Sequence, residues 1–159
     1  MDKLIDELTI YSRLDANRVL YTFVKFDVSE YFDDCCDEIG TELDAAGIEL
    51  NYRNHIKEPV IIAADPEQLK RVINNIISNS VKYMAEGRKG KIDIDLYDES
   101  DYVHIIIADN GKGIAGKDVS HIFERFYRTD ESRNSKQGGS GIGLAIVKKI
   151  VEDHKGKIW

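Results

Sequence analysis

Two glycine-rich strings in the second half of the chain constrain its fold and function more than any other feature. The first reads DNGKGI at 109–114 and the second GGSGIGL at 138–144, and the aromatic and basic stretch FERFYR lies between them at 123–128. Glycines let backbone amides approach phosphate oxygens, and the second string leads into an apolar-periodic helix, whose amino terminus attracts anions. Either string alone is more often an ordinary turn. The three elements in this order indicate a nucleotide-binding site.

Composition sets broad limits on the class of protein. The 159 residues are 42% hydrophobic with two prolines, which suits one compact domain with its own core. A net charge of -7 argues against a protein that coats nucleic acid, because that binding needs a basic face. The adjacent Cys35 and Cys36 are not expected to form a disulfide, which fits a reducing cytoplasm. No apolar run approaches the roughly 20 residues that span a bilayer, so we expect a soluble fragment.

Several stretches have the apolar spacing of helices. One covers residues 2–14 and lacks a capping residue, as expected of a helix cut from a longer element. Another follows a β-rich segment at 20–28, with Ser29 as its predicted amino-terminal cap and Gly47 at its end. The next begins after Asp65, which precedes a proline and forms a capping-box pattern with a glutamine three positions on.

Apolar alternation predicts the strands. Residues 48–56 form one predicted strand, with 60–63 as its hairpin partner. A second hairpin is predicted from 92–97 and 102–108, and its later strand is expected to be central because it is nearly all apolar. The order of elements predicts an α/β fold in which helices cover one face of a sheet.

The helix predicted after Asp65 has a row of polar residues along one flank, which suggests a ligand-binding role. Asn75, Asn79 and Lys82 fall at i, i+4 and i+7, within a sector of about 60°. A solvated helix edge would have the same spacing, but asparagine is a poorer helix former than glutamine, glutamate or lysine. An amide oxygen is a suitable hard ligand for magnesium, which completes its shell with phosphates and water. Asn79 is therefore the metal candidate.

Four segments together resemble the motif set of sensor histidine kinases. QLKRVINNIISNSVKY at 68–83 is similar to their N box, and DNGKGI, IFERFYR and GGSGIGLAI are similar to the G1, F and G2 boxes, in family order. The segment before them, ELTIYSRLD, resembles the end of the second dimerisation helix. The resemblance implies that residues 1–16 are the end of that helix and a linker, and that 17–159 are the catalytic ATP-binding domain.

The fold that the resemblance implies is a two-layer α/β sandwich of the Bergerat type. Its mixed, mostly antiparallel sheet is covered on one face by helices. The polar stretch 129–138 is expected to be a flexible ATP lid, although a disordered loop would have the same composition. Phe123 and Phe126 are expected to be core aromatics that anchor this lid. Relatives continue past Gly156 through a final hairpin, so the last strand or strands are expected to be truncated.

The resemblance also implies an ATP and Mg²⁺ site. Asp109 would accept a hydrogen bond from the adenine amino group, and its place at the end of an apolar strand favours a bound partner, since an unpaired carboxylate there would be costly. Asn79 would hold magnesium and Arg128 would reach the γ-phosphate, so Asn79, Lys82 and Arg128 are the catalytic candidates. The implied nucleotide contacts are Asn75, Asn79, Lys82, Tyr83, Asp109, Gly111, Gly113, Ile114, Arg128, Gly139, Ser140, Gly141, Gly143 and Leu144.

The activity that the resemblance implies is transfer of the ATP γ-phosphate to a histidine on a dimerisation domain, for relay to a response regulator. The parent protein would be a membrane-anchored homodimer with its kinase part in the cytoplasm. The histidines here lack the flanking residues of a phosphoacceptor and are expected to be structural: His55, His104, His121 and His154.

Other functions of the same fold remain as alternatives. Related ATPases carry a water-activating glutamate where this chain has Asn75, so we expect slow hydrolysis. A degenerate nucleotide-binding scaffold would have lost some of the motif residues that are present here. The F box and the dimerisation-helix segment argue against a protein-serine kinase or anti-sigma factor.

Overall fold

The structure is a computed structural model that describes residues 3–134 and 139–159, and it divides into two compact units. The first unit consists of Met1–Thr22, Asp65–Ile77 and Ile114–Trp159. The second consists of Phe23–Ala64 and Ser78–Gly113. The boundary at Ile77 falls inside one helix, which therefore contributes residues to both units.

The described residues form both helices and strands, in a mixed order along the chain. The helices are α1 (Lys3–Asp15), α2 (Val28–Ala45), α3 (Pro66–Lys82), α4 (Gly116–Val119), α5 (Asp130–Asn134) and α6 (Gly143–Asp153). The strands are β1 (Val24–Asp27), β2 (Glu49–Asn54), β3 (Ile61–Ala64), β4 (Lys91–Glu99) and β5 (Tyr102–Asp109). Across the described ranges, no helix has both the length and the apolar character that crossing a bilayer demands.

The core of the first unit forms where α1 packs against α6. Leu14 is 1% exposed, whereas Leu4 and Ile5 nearer the start of α1 are more than half exposed. Only the last part of the apolar stripe on α1 is therefore covered. The buried side chains of this cluster are Leu14, Val72, Ile142, Ile146, Val147 and Ile150.

The start of α3 is fixed by the predicted cap. Asp65 Oδ1 accepts hydrogen bonds from the Glu67 and Gln68 amides, each at 3.1 Å. Its Oδ2 accepts from the Thr22 amide at 2.9 Å, and its own amide donates to His154 Nε2 at 3.0 Å. Because Nε2 is an acceptor there, the His154 ring carries its proton on Nδ1, which donates to the Ile150 carbonyl at 2.7 Å. The structural role predicted for this histidine at the end of α6 is confirmed.

In the second unit the strands pair differently from the predicted hairpins. β2 pairs with β4 in parallel, from Glu49 opposite Lys91, and β3 pairs with β1 in antiparallel fashion, from Val24 opposite Ala64. The predicted hairpin between residues 48–56 and 60–63 is therefore wrong. Alternation of apolar residues shows which side of a strand is buried, but it carries no information about which strand lies beside it.

The prediction that the later strand of the second hairpin is central is also wrong. β4 lies between β2 and β5, and its Ile92, Ile94 and Leu96 are at most 1% exposed. In β5, Ile105 is 37% and Ile106 is 52% exposed, and among the described residues this strand pairs only with β4. The predicted hairpin of β4 and β5 itself is confirmed, and the mixed sheet fits the predicted α/β class.

Helix α2 packs against β1 and β2. Its amino-terminal cap is Asp27, whose Oδ1 accepts from the amides of Ser29 at 2.8 Å and Glu30 at 3.1 Å, so the prediction of Ser29 as the cap is wrong. An aspartate at this position reaches two amides of the first turn at once. Cys35 and Cys36 are both buried in α2 and form no disulfide.

Candidate functional site

The predicted purine end of the site lies in the second unit, where β5 ends at Asp109. Asp109 is exposed, and its carboxylate is held by two donors from the protein. Oδ1 accepts from the Gly111 amide at 2.9 Å, and Oδ2 accepts from the Ser80 hydroxyl at 2.8 Å. The expectation that this carboxylate would be unpaired without a ligand is therefore wrong. The chain itself fixes the group, and each carboxylate oxygen keeps a lone pair for a ligand.

The loop after Asp109 lies against the end of α3. The Lys112 amide donates to the Tyr83 carbonyl at 2.9 Å. A methyl group at Gly111 would lie 2.6 Å from that same carbonyl oxygen and 2.8 Å from Asp109 Oδ1. Such distances are too short for any side chain, so only glycine fits at position 111. The end of α3 and the 109–112 loop thus form one tightly packed group of backbone and side-chain polar atoms.

Residues before β4 hold the same loop from another direction. Arg88 Nη2 donates to the Gly111 carbonyl at 2.8 Å and to the Asn110 carbonyl. The Asn110 side chain accepts from the Lys91 amide at 2.8 Å and donates to the Lys89 carbonyl at 2.9 Å. Sequence reasoning missed Arg88 and Asn110. An asparagine followed by glycine signals a turn, but the partners of that turn lie about twenty positions away in the sequence.

The last turn of α3 carries two predicted phosphate-end groups. Within the described part of the chain, the Asn79 side-chain amide makes no hydrogen bond, and the Lys82 ammonium forms no ion pair. Lys82 Nζ lies 5.1 Å from the centroid of the Tyr83 ring. An amide oxygen that the described residues leave available fits the oxygen ligand that magnesium prefers. The donor type at Asn79 is therefore suited to the predicted metal.

In the first unit, the amino terminus of α6 has no side-chain cap from its N-cap residue, Ile142. Asn75 Nδ2 donates to the Arg71 carbonyl one turn back at 3.1 Å, and a methyl group at Gly143 would lie 3.3 Å from Asn75 Oδ1. Asn75 and the start of α6 are thus adjacent. Helix amides without a side-chain cap are suited to an anion.

The second glycine string contacts the F-box stretch. The Phe126 amide donates to the Gly141 carbonyl at 2.9 Å. Gly141 has φ 73°, and a methyl group there would lie 2.9 Å from the Tyr127 carbonyl oxygen. Phe126 is 61% exposed with φ 60°, and Phe123 is partly buried. The prediction of Phe126 as a core residue is wrong, because aromatic composition does not show that the backbone turns into the left-handed region at this residue.

Arg128 has an unsatisfied donor. Its Nε is buried and has no hydrogen-bond partner among the described residues, while Nη2 donates to the Ser132 carbonyl. A buried N–H without an acceptor is costly, and an anionic ligand would satisfy it. Residues 130–134 of the predicted lid form α5, and its residues 135–138 lie outside the described part of the chain.

Ser140 and the remaining predicted residues also have defined surroundings. The Ser140 hydroxyl donates to Glu7 Oε2 of α1 and accepts from the Ile142 amide at 3.3 Å. Ile114 is 51% exposed, and Leu144 packs on the core cluster of the first unit. The second unit holds Asn79, Lys82, Tyr83, Asp109, Gly111 and Gly113. The first unit holds Asn75, Ile114, Arg128, Gly139, Ser140, Gly141, Gly143 and Leu144.

The family model and the relatives that match this chain all point to the same family. Residues 64–159 match the family described as histidine kinase-, DNA gyrase B-, and HSP90-like ATPase. The sensor histidine kinase WalK of Bacillus subtilis is 42% identical over 107 residues, which make up 67% of this chain and 18% of WalK. The probable sensor kinase SilS of Salmonella typhimurium is 32% identical over an alignment of 163 positions, which covers 99% of this chain and 32% of SilS.

A solved structure agrees with these matches. The catalytic domain of histidine kinase ThkA, in a nucleotide-free form, has a TM-score of 0.71 and 27% identity, over 87% of this chain and 86% of that one. The fold and the matched boxes therefore define this chain as a member of the histidine kinase-, DNA gyrase B- and HSP90-like ATPases. Within that family it corresponds to the ATPase part of sensor histidine kinases, which confirms the predicted resemblance. It spans less than a third of WalK and about a third of SilS.

Proposed function

We propose that this chain binds Mg-ATP and transfers the γ-phosphate to a histidine on a dimerisation domain, for relay to a response regulator. The observation that carries the proposal is the fixed Asp109 carboxylate, held by Ser80 and Gly111 with one lone pair left on each oxygen. Such a group is suited to accept a hydrogen bond from the amino group of adenine. In the flanking loop, nothing lies within 4 Å of a methyl group placed at Gly113, which would leave space for a flat purine.

The phosphates would be bound by groups of different chemistry. Arg128 has a guanidinium N–H without a partner among the described residues, and the amino terminus of α6, which has no side-chain cap, would offer backbone amides after Ser140 and Gly141. Asn79 would hold magnesium through its amide oxygen, and Lys82 would add a positive charge. Magnesium, when bound, neutralises phosphate charge. Phosphoryl transfer needs mainly such positioning and charge stabilisation from the protein.

Transfer is favoured over hydrolysis by the residue one turn before Asn79. Asn75 donates its amide hydrogen to the Arg71 carbonyl, and an amide cannot take a proton from water as a carboxylate does. The parent protein would be a homodimer anchored in the membrane, with this part in the cytoplasm. Residues 1–16 would be the end of its dimerisation helix and a linker, and 17–159 its catalytic domain.

The test is phosphate transfer to a separately produced dimerisation domain that carries the acceptor histidine. The chain is incubated with labelled ATP and magnesium as the original sequence, as Asn79→Asp, and as the matched control Asn74→Asp. Asn74 is an exposed residue of the same helix, so its variant tests the same chemical change away from the site. We expect acid-labile label on the added domain with the original chain and the control, and at least about 100-fold less with Asn79→Asp.

Two results would contradict this function. If Asn79→Asp transferred phosphate as well as the original chain, Asn79 would not have the proposed role of holding magnesium. Acid-labile label on the chain by itself would show that one of its own histidines is the acceptor.

A further inference from the structure

Ser80 is a polar residue inside the apolar stripe of α3. It is 6% exposed, on a helix whose neighbouring buried positions include Ile73 and Ile77. The hydroxyl of a serine within a helix commonly donates a hydrogen bond to the carbonyl one turn back. Here the hydroxyl donates instead to Asp109 Oδ2, 29 positions along the chain, at 2.8 Å. A hydroxyl has a single proton, so this bond determines the direction of the Ser80 side chain.

The bond also determines the direction of the Asp109 carboxylate. With Ser80 on Oδ2 and the Gly111 amide on Oδ1, both oxygens are tied to separate elements, and rotation of the carboxylate would break both bonds. Hydrogen bonds weaken steeply when their geometry is poor. An acceptor that must meet one amino group of a flat ring therefore depends on the donors behind it. Exposed as it is, Asp109 would otherwise sample several side-chain orientations.

We propose that Ser80 is a positioning residue that makes the site selective for purines with an amino group at carbon 6. Its hydrogen bond and that of the Gly111 amide hold the Asp109 carboxylate, which carries only acceptor lone pairs, in one orientation. A 6-amino group donates to such an acceptor, whereas a 6-oxo group presents a second acceptor and is repelled. This inference rests on the proposed binding of an adenine nucleotide and adds the origin of its base selectivity.

The test compares two ligands that differ in one group. ADP and purine riboside 5′-diphosphate, which lacks the 6-amino group, are titrated into the original chain, Ser80→Ala and the control Ser78→Ala by calorimetry. Ser78 is exposed on the same helix. We expect Ser80→Ala to weaken ADP binding about tenfold, as for loss of a hydrogen bond to a charged group, and to leave binding of purine riboside 5′-diphosphate unchanged. Ser78→Ala should change neither.

A merely structural serine would give a different pattern. If Ser80→Ala weakens both ligands by the same factor, or neither, the inference is overturned. If Ser80→Ala does not fold, Ser80→Cys keeps the size of the side chain with a weaker donor, and it should weaken ADP selectively as well. Failure of the original chain to bind ADP would instead overturn the proposed function, so the two failures are distinguishable.

Discussion

At the scale of single residues, the closest packing of the site is at Gly111. Its Cα faces the carbonyl of Tyr83 and the carboxylate of Asp109, and a methyl group added there would lie nearer to both than real side chains come. The backbone of the 109–112 loop therefore approaches α3 as closely as a glycine permits. That approach allows the Lys112 amide to reach the Tyr83 carbonyl.

Replacing Gly111 by alanine should disturb both the fold and the site. The added methyl group must displace the end of α3 or the 109–112 loop, so we expect a loss of about 1–3 kcal/mol in the free energy of unfolding and weaker ADP binding. Urea denaturation and ADP titration measure the two effects. Gly116→Ala is the matched control, since nothing lies within 4 Å of a methyl group there. An unchanged unfolding free energy for Gly111→Ala would refute the packing described.

Gly111 and Asp109 could be predicted as site residues because glycine-rich strings are recognisable in the sequence itself. It missed Ser80 as a functional residue, since a small side chain in an apolar stripe is typical of a helix core. The one signal was its polarity at a buried position, and its partner lies 29 positions away, beyond any local pattern. The prediction that Phe126 is a core residue was wrong for a related reason. Its exposure depends on a left-handed backbone conformation, which composition does not reveal.

At the scale of secondary-structure elements, the start of α3 depends on one carboxylate. Asp65 accepts three backbone hydrogen bonds, two within its own helix and one from Thr22. It is also 6% exposed, so truncation leaves those amides without a nearby solvent replacement. Asp27 caps α2 with two such bonds.

Asp65→Ala should therefore cost more than Asp27→Ala. We expect a loss of about 2 kcal/mol in the free energy of unfolding for Asp65 and about 1 kcal/mol for Asp27, within the range measured for helix caps. Urea denaturation of both variants gives the comparison. Equal losses would show that the bond to Thr22 adds nothing to the cap.

The outer face of β4 carries an ion-pair network that makes stability depend on pH. Arg53 of β2 donates to Asp95 at 2.7 and 2.6 Å, and His55 Nε2 lies 2.8 Å from the same carboxylate. Hydrogen bonds from Arg53 and then His55 lower the pKa of Asp95 to about 2. Since the pKa is lower in the folded chain than in the unfolded one, the stabilising contribution is present above about pH 4 and is lost as the pH falls towards 2.

Asp95→Asn should flatten this dependence. We expect the original chain to lose more stability than the variant between about pH 4 and pH 2, because only the original chain must protonate this paired carboxylate. Urea denaturation across that range measures the slope. Asp98→Asn, at an exposed position of the same strand, serves as control and should keep the original slope. A variant slope equal to that of the original chain would exclude Asp95 as the cause.

Elements were predicted better than their pairing. The third predicted helix begins at its predicted cap and the 92–97 and 102–108 strands form their hairpin, because caps and alternation are local properties. The parallel pairing of β2 with β4 joins strands about 40 residues apart. Such a contact depends on how the whole chain packs, which is why the predicted partner of residues 48–56 was wrong.

At the scale of the whole molecule, nucleotide binding should raise stability. A ligand that binds only the folded chain adds about 2.7 kcal/mol when its free concentration is 100 times its dissociation constant. We therefore expect saturating ADP with magnesium to raise the thermal midpoint, and Asn79→Asp to remove the part that depends on magnesium. A midpoint unchanged by saturating ADP and magnesium would contradict the proposed binding.

The two buried thiols of the chain provide a chemical probe of local opening in the second unit. Cys35 and Cys36 lie buried in α2, and burial together with the neighbouring Cys35, Asp33 and Asp37 raises the pKa of Cys36 to about 12. The thiolate is the form that attacks a thiol reagent, and it is scarce while α2 stays packed against β1 and β2. The labelling rate of the folded chain therefore reports how often α2 separates from β1 and β2. A slower rate with ADP would show that nucleotide binding suppresses this local opening.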